Sequence, residues 1–148
     1  MNRTDLLSFL RAQKWAVQAS VNLAAPQAAV IGVAVTDRLE IVFDTLAETR
    51  KVTNLRANPL VALVIGWDEG QTVQIEGMAD EPTGDELARL KRVYFSKFPD
   101  GYERERWPGI TYFRVFPHWI RFSDFRGEAP LVATWSGDSF REMMGARN

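Results

Sequence analysis

The 148-residue sequence is 46% hydrophobic and 25% charged, with 18 Lys and Arg against 19 Asp and Glu for a formal charge of -1. A chain of that length can bury roughly 70% of its unfolded surface in one domain, residues 1–148, and its near-neutral balance supplies no basic field for nucleic acid or an anionic membrane. The absence of cysteine excludes disulfides and thiolate chemistry, and an N-terminus without the apolar core of a secretory signal makes the cytoplasm the expected location.

Residues 1–13 place Leu6, Leu7 and Leu10 at helical spacing after Thr4, a plausible N-cap, which predicts a short amphipathic helix. Trp15 to Thr36 carries no charge. Gln18, Ser20, Asn22, Pro26 and Gln27 in its middle argue against a membrane span, because lipid cannot satisfy them. It reads as two strands, Trp15–Val21 and Gln27–Val35, joined through Asn22 and Pro26. Leu39–Phe43 follows the Asp37-Arg38 turn and pairs back as a hairpin. A helix from Ala47 to Ala57 is stopped by Asn58-Pro59 ahead of the strand Leu60–Trp67.

Thr72–Gly77 alternates as a half-buried strand. Thr83 and Glu86 form a capping-box pattern for a helix with Leu87, Leu90 and Tyr94 on one face. Phe98–Pro108 reads as a loop before the strand Tyr112–Phe116, which Pro117 interrupts, and Trp119–Phe125 resumes the alternation. The tail 127–148 either docks as a last short helix or stays loose. Six to seven mostly antiparallel strands with two to three helices make a mainly β chain, an antiparallel barrel with peripheral helices.

The segment FDTLAETRKVTNLRANP, Phe43 to Pro59, is the one that suggests chemistry. A strand ends, two threonines follow, and a helix begins beside Arg50 and Lys51. A helix N-terminus presents unpaired N–H groups and the positive end of the macrodipole, and adjacent cations and hydroxyls complete a cradle for a phosphomonoester. Thr45 followed by Glu48 is also an ordinary capping box, with Arg50 and Lys51 solvated, and such caps greatly outnumber phosphate sites. On the phosphate reading, Glu48 must point away from the anion.

This segment, together with QTVQIEG at Gln71–Gly77, resembles the pyridoxamine 5'-phosphate oxidase-like flavin-binding split barrels, whose strand–Thr, Ser/Thr-Arg-Lys and Asn-Pro pattern is matched by Phe43, Asp44, Thr45, Thr49, Arg50, Lys51, Asn58 and Pro59. The resemblance spans most of the chain. It implies a split β-barrel homodimer that binds FMN across the subunit interface and acts as a flavin-dependent oxidoreductase on a small molecule. Arg50 and Lys51 would grip the flavin phosphate, with Thr49 at the helix start. Thr45 and the backbone near Asp44 would follow the ribityl chain. Gln27 to Gly32, with Val30, Ile31 and Gly32 as the named contacts, would line the ring's other edge, and Thr72 and Trp119 would be further contacts. Split barrels resembling this one also hold deazaflavin or haem, and a non-enzymatic flavin-binding protein is a further alternative. Where the genuine oxidases carry an Arg and a Lys in the strand before the turn, Ala28–Val35 here has no charge, so the anchor for a phosphorylated vitamin substrate is missing.

His118, the single histidine, allows neither a multi-histidine metal site nor a Ser-His-Asp constellation with a spare base. Asp80, Glu81, the loop Asp100–Arg106 and the tail Asp138–Arg147 read as solvated charge. Tyr94, Phe95, Trp107 and Tyr112 read as core aromatics.

Overall fold

The computed structural model describes residues 1–145; Arg147, at the end of the charged tail, lies outside them. The helix α1 (Arg3–Ala12) starts two residues earlier than Thr4 suggests. Asn2 is its N-cap: the Asn2 side chain accepts from the Asp5 N–H at 2.9 Å while the Asp5 carboxylate accepts from the Asn2 N–H at 3.0 Å. Leu6 and Leu10 are the residues it buries.

The uncharged segment forms β1 (Trp15–Asn22), β2 (Ala25–Gly32) and the two-residue β3 (Ala34–Val35). Pro26 is the second residue of β2 rather than part of the loop. β4 (Ile41–Leu46) pairs with β3, as the expected hairpin, through Ala34 opposite Val42. Then follow α2 (Arg50–Ala57), β5 (Leu60–Ile65), β6 (Gln71–Asp80), α3 (Gly84–Lys97), the one-turn α4 (Gly101–Arg104) inside the expected loop, and β7 (Ile110–Asp124). The tail contributes β8 (Leu131–Ser136) and α5 (Gly137–Gly145), whose Met143 reaches the core. The described residues thus hold eight antiparallel strands in one curled sheet, ordered β2-β1-β5-β6-β7-β4-β3 with β8 on β7.

β7 runs through Pro117, where the sequence suggested a break. Its partner absorbs the fault: the β6 register shifts between Glu76 and Gly77, and Gly77 stands opposite Pro117. A Cβ on Gly77 would lie 2.4 Å from the Phe116 carbonyl oxygen, so the crossing admits only glycine. Gly77→Ala is therefore expected to lose about 1–3 kcal/mol of stability by forced backbone displacement, and an unchanged denaturant midpoint would contradict that account. The other flank of β7 is divided, with Ile110–Val115 paired to β4 and Trp119–Asp124 paired to β8.

Alternation sorts the strand residues into two cores. Ala16, Ile31, Ile41, Phe43, Leu63, Ile75, Phe113 and Ile120 fill the barrel interior with Val52 and Leu55 of α2. On the far side of β4, Val42 meets Leu90, Tyr94, Phe95 and Tyr112 beneath α3. Between the cores and solvent lies a charge cluster. Arg89 forks onto Glu40 with two bonds of 2.9 Å, Arg114 forks onto Asp80 at 2.7 and 3.0 Å, and Arg114 also donates to Glu86 at 2.6 Å. Glu86 thus binds guanidinium groups instead of completing a capping box with Thr83, which makes no side-chain cap bond. Asp80 and Glu81 are likewise not simply solvated, since Glu81 accepts a forked pair from Arg56 at 2.7 and 2.9 Å and a bond from Thr111 at 3.0 Å.

Candidate functional site

β4 ends at Leu46, the Thr49 N–H turns back to the Leu46 carbonyl at 3.0 Å, and α2 begins at Arg50. Its N-cap is Thr49, not Thr45. Thr45 remains inside β4, opposite Thr111, so it lies too far back to cap the helix. Thr49 makes no side-chain cap bond, and no acidic residue stands in the first turn. The first amides of α2 therefore keep their positive field unopposed. Glu48 is exposed and outside the helix.

Beside that turn lies a cleft of about 170 Å³ walled by Gln18 and Ser20 of β1, Gln27, Ala28 and Ala29 of β2, and Thr49, Arg50 and Lys51. The antiparallel register sets Gln18 opposite Ala29 and Ser20 opposite Gln27. Asn54, buried on the second turn of α2, donates to Ser20 Oγ at 3.0 Å and to Gln27 Oε1 at 2.9 Å, fixing the helix over both strands. Lys51 is half-buried. Its Nζ donates to Thr45 Oγ1 at 3.2 Å, and Thr45 Oγ1 lies 3.3 Å from Thr49 Oγ1. Burial without a carboxylate partner lowers the Lys51 pKa, since desolvation penalises the ammonium. Arg50 is exposed and joins no ion pair among the described residues.

Two basic side chains, an uncapped helix start and a set of polar side chains fit a phosphoester dianion. The cleft is smaller than the roughly 300–1,000 Å³ that encloses a whole cofactor, so it takes the charged end of a ligand and leaves the remainder outside. A larger groove of about 490 Å³ lies between α1, β3 and α3. Its Lys97 already donates to the Arg11 carbonyl, and Arg11 to Asp37 at 2.6 Å, so these cations are committed to the fold. No group of three His, Cys, Asp or Glu among the described residues is placed to hold a metal.

The family described as pyridoxamine 5'-phosphate oxidase matches residues 4–124, an interval that contains the whole cleft. The chain belongs to that family. Among curated protein sequences none matches it significantly. Solved structures share the fold at low identity. A haem-binding protein from Mycobacterium smegmatis superposes with a TM-score of 0.80 at 14% identity, over 96% of this chain and 61% of the other, so this chain spans about three fifths of that protein's length. A putative pyridoxamine 5'-phosphate oxidase from Listeria innocua gives 0.69 at 24% identity, over 81% and 96% of the two chains. A pyridoxamine 5'-phosphate oxidase-related, FMN-binding protein from Nostoc punctiforme gives 0.67 at 12%, over 92% and 86%.

In this pyridoxamine 5'-phosphate oxidase family member, Thr49, Arg50 and Lys51 converge on the cleft, and Thr45 stands behind them as the hydroxyl that holds Lys51. Asp44 faces the other way. Its carboxylate accepts from the Tyr94 hydroxyl at 2.8 Å and from Arg104 Nε at 2.9 Å, leaving only its main chain near Thr45. Burial and the Asp44 charge push the Tyr94 hydroxyl pKa up. The loop 100–106 is thereby tied to the body through Arg104, not merely solvated.

Val30, Ile31 and Gly32 do not share a face. Val30 points outward and is 64% exposed, whereas Ile31 belongs to the barrel interior. The space Gly32 leaves is taken by this chain's own Phe98, whose ring would lie 3.0 Å from an added Cβ. Thr72, the second residue of β6, stands opposite Ser123, with its hydroxyl buried and unpartnered among the described residues. Trp119 lies on the outer face of β7, its ring 5.3 Å from the Arg121 guanidinium carbon, and His118 is exposed. None of Val30, Thr72 and Trp119 walls the cleft. The polar residues of β1 and Asn54 are the parts of the site that sequence reading passed over. The signal was present: Gln18 and Ser20 share the inward parity of Ala16 in a strand that is apolar from Trp15 to Val21 apart from these two.

Proposed function

We propose that the cleft holds the phosphate end of FMN and that the protein is a flavin-dependent oxidoreductase acting on a small molecule. The observation that carries this reading is the half-buried Lys51 and the exposed Arg50, neither with a carboxylate partner among the described residues, at the uncapped start of α2. Two cations and a set of main-chain amides match a dianionic ester better than a carboxylate, which needs only one partner. FMN, when bound, supplies hydride or electron transfer. The chain's own residues neutralise the phosphate, and Thr45 keeps Lys51 in place before the ligand arrives.

The reading includes a homodimer. Val30, Leu60, Val64, Met78 and Phe116 are exposed large apolar side chains at outward positions of β2, β5, β6 and β7. A second copy covering this surface would supply the wall that the small cleft lacks, and would bring Val30 or Trp119 within reach of a ring system. The uncharged stretch Ala28–Val35, across β2 and β3, offers no second phosphate anchor, so the substrate differs from phosphorylated vitamin B6. No helix among the described residues is long and apolar enough to cross a membrane.

The test is mass spectrometry and absorption spectroscopy of the ligand that copurifies with the full chain. FMN mass with oxidised-flavin bands, bleached by a nicotinamide donor, is the expected result. A sharp Soret band without flavin would replace this reading with haem, a deazaflavin mass would replace it with that cofactor, and flavin inert to every donor would leave a binding protein.

A further inference from the structure

Gln18 stands on the inward face of β1, between Ala29 of β2 and Leu63 of β5. Its neighbours on that wall include Ala16, Ile31, Leu63 and Ile65, all buried and apolar. The side chain is 1% exposed, yet neither its Oε1 nor its Nε2 has a hydrogen-bond partner among the described residues. A leucine would fill the same space without the cost of an unpaired buried amide. The side chain also lines the cleft beside Arg50 and Lys51. Its neighbours Ser20 and Gln27 have their oxygens engaged by Asn54, so their acceptor sides are already used.

A free carboxamide asks for two things at once. Nε2 donates and can serve a phosphate oxygen, but Oε1 only accepts and would repel the same anion. Both ends are satisfied when the carbon chain attached to the phosphate carries a hydroxyl that donates to Oε1. We infer that Gln18 is a recognition residue for a phosphorylated polyol, reading a hydroxyl next to the phosphoester. This deepens and rests on the FMN reading, since the ribityl phosphate of FMN is one such group. It also sets FMN apart from haem, whose carboxylates have no neighbouring hydroxyl and would leave Oε1 unpaired.

Calorimetry with the full-length protein, freed of ligand, tests the assignment with three probes: ribitol 5-phosphate, pentyl phosphate and inorganic phosphate. The wild-type protein is expected to bind ribitol 5-phosphate at least about tenfold more tightly than pentyl phosphate. Gln18→Met is expected to abolish that preference, to weaken FMN by about tenfold, and to weaken inorganic phosphate by less than it weakens ribitol 5-phosphate, since only the Nε2 contact is lost there. Equal binding of the two esters by wild type, or a preference that survives in Gln18→Met, overturns the inference. Should the methionine variant fail to fold, Gln18→Asn, which withdraws the amide by one methylene, is read in the same way. FMN failing to bind while the ester preference stands would remove the FMN reading alone, and an absent preference in a protein that binds FMN would remove this one alone.

Discussion

Replacing Glu40 by alanine is expected to lower folding stability by about 3 kcal/mol, because it removes the buried carboxylate onto which Arg89 forks and leaves the two guanidinium groups only Glu86 and Asp80. Glu40 is 4% exposed and accepts from both ends of the Arg89 guanidinium at 2.9 Å, from Arg114 at 3.3 Å and from Thr36 Oγ1 at 2.7 Å. Arg114 is itself buried but keeps Asp80 and Glu86 when Glu40 is lost, so the larger share of the loss falls on Arg89, which is left with Glu86. The measurement is the urea midpoint at constant slope; a loss below about 1 kcal/mol would mean the cluster behaves like an ordinary surface pair. The same cluster sets the response to acid. Burial pushes the Glu40 carboxyl up, but Arg89, Thr36 and Arg114 together outweigh it and the net direction is down. Arg89 and Arg114 hold Glu86 at about 2, below its ordinary 4.5. Both folded-state values lie under the unfolded one, so this stabilisation is complete above 4.5 and is lost as the pH falls toward about 2. The Glu40→Ala variant should therefore show a flatter loss of stability over that interval than the wild type.

The double change Arg50→Ala with Lys51→Ala is expected to reduce FMN affinity by about 2–4 kcal/mol, on the order of a hundredfold, since each removes a charge-assisted contact to the phosphate. Among the described residues neither side chain belongs to an ion pair, and the Lys51 ammonium is tied to Thr45 alone. Folding should therefore be nearly unaffected, and relief of the Lys51 burial penalty even favours it. Riboflavin, which lacks the phosphate, provides the internal comparison: its weaker binding should barely change. A folded double variant that keeps wild-type FMN affinity would defeat the proposed site, and equal losses for FMN and riboflavin would place the two cations elsewhere on the ligand.

Strand and helix order was readable because alternation and helical spacing are local properties of the chain. Leu6 with Leu10, Val73 with Ile75, and the Asn58-Pro59 stop each carry their meaning within a few residues. Helix starts were less readable. Thr4, Thr45 and Thr83 all stood in acceptable capping patterns, but Asn2 took the first cap, Thr45 was held in β4 by its pairing with Thr111, and Glu86 was drawn off by Arg89 and Arg114. Those competitors sit far away in sequence. The continuity of β7 through Pro117 depended on Gly77, forty residues back, which offers the room a bulge requires. Within the site, Arg50 and Lys51 announced themselves by charge beside a helix start. Gln18 and Ser20 did not, since their significance comes from α2 folding over β1 and from Asn54 binding across the gap. The Asp44 side chain turns to Tyr94 and Arg104 while its neighbour Thr45 faces Lys51, because consecutive strand residues face opposite sides.

The divided flank of β7 gives the last segment of the chain a duty unrelated to chemistry. β4 departs at Val115, and without β8 the main-chain groups of Trp119–Asp124 would form an open edge next to the apolar Ile120 and Phe122. Such an edge invites pairing with any extended chain nearby. Cleavage in the exposed turn around Gly127 and Glu128, followed by loss of β8 and of the Met143 contact to the core, would bare that edge and let it template aggregates.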